Sequence, residues 1–133
     1  MEGPAKLFLA AGLIYLAAGT AMGFCMAFMR GKWTLRLMPA HTHFGLIGWI
    51  SMMIFGFSYS LLPMFTGKTL HSPTLAYLHF GLINLGLVGM AGVWIGSRFP
   101  KSPVSPTFVW PFGAMVVLSV WLYIYNIAMT LLS

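Results

Sequence analysis

The sequence predicts an all-α fold, an integral membrane four-helix bundle, and three observations carry that prediction. Of its 133 residues, 59% are hydrophobic and only 6% carry a formal charge, a balance that no water-soluble domain of this size can hide. Four runs, 7–29, 37–67, 69–97 and 102–133, contain no Lys, Arg, Asp or Glu. Each exceeds the ~20 residues needed to cross a bilayer at ~1.5 Å per residue. The connections between them are short and rich in Gly and Pro, so residues 1–133 read as one transmembrane domain without a linker.

The first helix is predicted over about residues 6–30. Its apolar run is too long for a signal peptide and lacks a small-residue processing site, so no cleavable leader is expected. Met22, Met26 and Met29 share one face at i, i+4 and i+7, a spacing that serves either plain core packing or a soft-ligand stripe for Cu(I). Arg30-Gly31-Lys32 to Pro39 leads to the second helix, 39–64, and Pro63 to Pro73 leads to the third, 73–97. Phe99-Pro100 to Pro106 then opens the fourth, 106–132, with proline in a helix's first turn, where its missing N–H costs least. Trp33, Trp94, Trp110 and Tyr59 fall near helix ends, as an interfacial belt would. Gly19-xxx-Gly23, Gly45-xx-Gly48 and Gly92-xxx-Gly96 are small-residue spacings that let transmembrane backbones approach closely.

Charge narrows the function further. Seven Lys or Arg face a single acid, Glu2, for a net charge of +6, but the cations stand singly between apolar runs. That scatter excludes a nucleic-acid surface, and one carboxylate excludes paired-carboxylate catalysis. The lone Cys25 cannot form an intrachain disulfide.

Histidine within a membrane span is costly, and its default reading is functional. His41 and His43 stand two residues apart near the start of the second helix, and at ~100° per residue they point ~200° apart. One small ion cannot readily take both, whereas a helix wedged between two ligand sites could give one imidazole to each. Gly45, Gly48, Met52 and Tyr59 lie on the His41 side, a strip against which a flat macrocycle could lie. Ile47, Ile50 and Ile54 form an apolar wall on the His43 side. The simpler alternative is a pair of histidines bonded to nearby backbone or threonine. His79 falls near the opposite membrane face and reads as a satisfied structural residue, and His71 in its polar loop as a solvated one.

The stretch Ala40-His41-Thr42-His43-Phe44, continuing through Gly48 and Gly56 to Leu62-Pro63-Met64-Phe65-Thr66-Gly67-Lys68-Thr69-Leu70, resembles a helix of haem-copper oxidase subunit I. That helix carries a His-x-His pair and ends in a Pro-x-Phe-Ser/Thr-Gly-x-Thr-Leu turn. Leu78-His79-Phe80 to Gly89 is similar to the following oxidase helix, and Arg98 in Ser97-Arg98-Phe99-Pro100 falls where the family places propionate-binding arginines. The chain thus resembles the last four of the family's twelve core helices. The resemblance implies that His41 ligates a high-spin haem and His43 a low-spin haem, and that His79 is not a ligand. The family's remaining histidines, for copper and for the sixth low-spin ligand, have no counterpart here.

The family's twelve helices form three arcs of four about a pseudo-threefold axis, so three copies of this chain are expected to rebuild the ring as a symmetric homotrimer. His41 of one protomer would then face His43 of the next across a haem b, with Arg36, Arg98 and Lys101 near its propionates and Gly45 and Gly48 against its face. Haem b is the expected type because no Cys-x-x-Cys-His motif occurs. Two axial histidines leave no open position, which implies electron transfer with a donor or acceptor protein in place of catalysis. The expected setting is membrane lipid in a prokaryotic inner membrane. Positive-inside counting puts the loops holding Arg30, Lys32, Arg36, Arg98 and Lys101 in the cytoplasm, whereas the resemblance puts them outside, where propionates give those cations another role. Three other functions stand beside this one: copper binding or transport through His41, His43 and the Met22 to Met29 face, an O₂- or NO-binding haem-metal reductase subunit, and a cofactor-free subunit of a larger respiratory complex.

Overall fold

The structure, a computed structural model, describes residues 3–133. Among them there is no strand, and four helical spans are long and apolar enough to cross a membrane. The first is α1, Pro4–Met29, with proline at its start. The second runs Lys32–Thr66 as one continuous rod. It comprises α2, Lys32–His43, a π-helical segment, Phe44–Ser51, and α3, Met52–Thr66. The third span is α4, Pro73–Ser97. A 3-10 turn, Pro106–Phe108, leads into α5, Val109–Leu132, and completes the fourth.

Local chemistry sets the ends. Gly67 closes α3 in the left-handed region at φ 66°, and the Lys68 N–H reaches back to Pro63 O at 3.1 Å. Ser72 caps α4, its Oγ accepting the Leu75 N–H at 3.2 Å with Pro73 as the first helical residue. The Asn126 side chain of α5 grips that cap from both sides, its Nδ2 donating to Ser72 O at 2.8 Å and its Oδ1 accepting the Ser72 N–H at 2.9 Å.

The second span departs from expectation. Its helix begins at Lys32, not near 39, and Pro39 lies inside it. Proline removes the amide that would bond Leu35 O. Leu35 is 67% exposed toward the rod's outer end, where the freed carbonyl is least costly to leave unpaired. Eight residues of π-helix follow directly after His43, and Ser51 Oγ donates to Leu46 O at 2.9 Å across five residues, in keeping with the widened turn.

α1 packs along the whole second rod, α4 packs most extensively on α5, and α2 and α3 reach across to α4 and α5 respectively. Phe8, Met52, Ile83 and Leu87 lie fully buried where these surfaces meet. Most of the outer face is apolar: Leu13, Ile14, Phe24, Phe28, Val117 and Trp121 are all exposed, as lipid-facing positions are.

Candidate functional site

His41 and His43 leave their helix in opposed directions. His41 turns toward α1, where its Nδ1 lies 2.8 Å from Gly19 O. A carbonyl only accepts, so Nδ1 carries the proton and Nε2 presents its lone pair. The glycine spacing on α1 makes room for this ring: a Cβ on Gly23 would stand 2.9 Å from His41 Cε1. His43 turns toward α4, its ring 4.5 Å from that of Trp94, and donates its own Nδ1–H to Pro39 O at 2.9 Å. Neither Nε2 has a hydrogen-bond partner among the described residues. Both imidazoles are therefore tied to main-chain oxygen, as the simpler alternative expects, but each through one nitrogen only.

The flank beside His41 holds a cavity of about 170 Å³ lined by Tyr15, Leu16, Gly19, Thr20, Gly45 and Trp49. Gly45 is open, with nothing within 4 Å of a Cβ built there. The rest of the small-residue strip is not: a Cβ on Gly48 would lie 2.5 Å from Tyr15 Cγ, and Met52 and Tyr59 are buried in the bundle's own core. Of the wall assigned to the His43 side, Ile50 and Ile54 face outward, exposed. The His41 flank is therefore open only along its outer seam, over Gly45, while Trp94 shares the His43 flank with the imidazole.

Arg36 and Arg98 come together at the loop end of the bundle. Arg36 Nε donates to Arg98 O at 3.2 Å, and the guanidinium carbon sits 4.4 Å from the centroid of Phe99 and 5.2 Å from that of Trp33. By the helical repeat, Arg36 shares a face with His43, seven residues on. Lys101 is exposed on the same loop and holds a left-handed φ of 58°.

His79, expected to be a satisfied structural residue, is fully buried and only half satisfied: Nδ1 pairs with Tyr59 Oη at 2.9 Å while Nε2 has no partner among the described residues. Phe8, Phe55, Tyr59 and Tyr123 cage it with ring centroids 4.6 to 5.9 Å away. Tyr59 thus belongs to the core and not to an interfacial belt. His71 is exposed on its loop. A second buried polar contact, Tyr15 Oη donating to Asn84 Oδ1 at 2.9 Å, joins α1 to α4. Its one visible sequence signal is an asparagine inside an apolar run.

Met22 and Met26 are half-buried and Met29 is exposed, and among the described residues no three His, Cys, Asp or Glu side chains gather within one protomer. No family model, curated protein or solved structure matches this chain.

Proposed function

We propose that this chain is a membrane haem b protein for electron transfer, akin to the His-x-His helix of haem-copper oxidase subunit I. It would hold haem between protomers of a homotrimer through His41 of one copy and His43 of the next. The observation that carries this reading is the shared anchoring of the two imidazoles: each gives Nδ1–H to a backbone carbonyl, at 2.8 and 2.9 Å, on opposite flanks of one rod. Haem-ligating histidines are fixed in this way, the anchored Nδ1–H setting ring orientation and leaving Nε2 for iron. Because the rings diverge, one protomer cannot offer both to the same iron, and the second ligand must come from a neighbour.

A bound haem with two axial imidazoles supplies a reversible one-electron couple and no open coordination position. The chain's own residues do the rest. Gly19 O orients His41, Pro39 O orients His43, and the bare Cα of Gly45 leaves the seam beside His41 free for a ring edge. Gly48 keeps α1 close enough for Gly19 to reach His41, which makes its part indirect. Arg36, Arg98 and Lys101 stand at the loop end of this region as cationic partners for carboxylates.

The optical spectrum of purified protein tests the reading. A Soret band, a reduced pyridine haemochrome of the b type and no change on adding CO are expected. His41→Ala and His43→Ala should each abolish or shift the band, whereas His79→Ala should keep it while lowering stability by about 2 to 4 kcal/mol through the cavity it leaves. Colourless, iron-free protein would overturn the proposal, and copper without a Soret band would favour the transport reading instead.

A further inference from the structure

The loop end of the bundle holds a cleft of about 330 Å³ lined by Lys32, Leu35, Arg36 and Arg98. Three of its four walls are cationic, and no carboxylate faces them among the described residues, the chain's one acid being Glu2. Arg36 is the unusual member. It is only 9% exposed, its Nε is committed to Arg98 O, and its plane is packed against Phe99 and Trp33. Its outer N–H groups have no partner among the described residues and remain open to the cleft, where an anionic oxygen can accept from them. The cleft lies at the ends of two spans beside the edge-to-face pair of Trp33 and Phe99, as expected at headgroup depth, and Leu35 beside it is exposed for an acyl chain.

We propose that this cleft binds the phosphate of an anionic glycerophospholipid, with Arg36 as the fixed donor and Lys32 and Arg98 as the outer cations. Arg36 and Arg98 are also the cations set beside the haem propionates above, so lipid binding and haem content are measured separately in the test. A phosphodiester offers the paired oxygens that a guanidinium fork matches, and several cations gather around it without a fixed register.

Native mass spectrometry of the full chain in detergent, titrated with phosphatidylglycerol or phosphatidylcholine, tests it. Wild-type protein should hold phosphatidylglycerol the more tightly of the two. Lys32→Gln/Arg98→Gln, which leaves the buried Arg36 in place, should weaken phosphatidylglycerol roughly 25-fold, about fivefold for each of the two cations removed near an anionic lipid surface, and leave phosphatidylcholine unchanged. Arg36→Gln should weaken it further if it folds; the double variant decides the question if it does not. Equal binding of the two lipids, or a double variant that binds phosphatidylglycerol as the wild type does, would overturn the proposal. Haem loss in the double variant with lipid binding intact would assign the cations to propionates instead.

Discussion

The two imidazoles of the second span owe their setting to residues that carry no chemistry themselves. Gly19 contributes only a carbonyl and Gly23 only the absence of a side chain, yet together they hold the His41 ring against α1. A methyl at Gly23 would meet the ring edge at 2.9 Å, closer than carbon atoms tolerate, so Gly23→Ala must turn the imidazole or push α1 away. The expected outcome is a folded protein whose Soret and reduced α bands are shifted or split while its helical circular dichroism is kept. A purely structural His41 would show no such optical change. The opposition of His41 and His43 was legible in the sequence because it needs only the ~100° helical step. Their anchors were not, since Gly19 lies 22 residues from His41 and nothing local announces the pairing. Trp94, read as a belt residue, proved to be the ring beside His43 for the same reason.

At the level of helices, the most extensive contact in the bundle is between α4 and α5, at Gly86-xx-Gly89, the same spacing as Gly45-xx-Gly48. A Cβ on Gly86 would lie 2.7 Å from Phe112 O and 2.8 Å from Val116 Cγ2, and one on Gly89 would enter the Phe112 ring. Backbone oxygen cannot move aside as a flexible side chain can. Gly86→Ala is therefore expected to lower stability by about 1 to 3 kcal/mol, read as an earlier midpoint in detergent-denaturant titration, whereas Gly92→Ala, which meets nothing within 4 Å, should be near neutral. The span count and the starts of α4 and of the fourth span follow from apolar length and turn chemistry, which are local, whereas the cap of Ser72 was seen only in the structure. Pro39 misplaces the start of the second helix because proline reads as a boundary wherever it occurs. The π-helical turns of Phe44–Ser51 have no compositional signature at all.

At the scale of the whole molecule, one protomer leaves half of the proposed centre unmade. One protomer presents two imidazoles that diverge, an open Gly45 seam and exposed Ile50 and Ile54 on the same rod. Closing a ring of identical copies is the arrangement that pairs every His41 with a His43 and leaves none over. A mass three times that of the protomer in native spectra is expected, with one iron per chain by elemental analysis. A coloured monomer, or one iron for every three chains, would contradict seams that repeat around the ring.

The second span has a further consequence. Its 35 residues amount to a rod of about 50 Å, against a hydrocarbon layer of about 30 Å. The surplus must tilt or protrude, and the end suited to the headgroup region is 32–38, with Lys32 exposed and Arg36 in the cationic cleft. His41 and His43 follow only a few residues later, so they lie near the aqueous margin and not at mid-depth. A small soluble redox carrier docking on that rim could exchange electrons with the haem proposed there without ever entering the lipid.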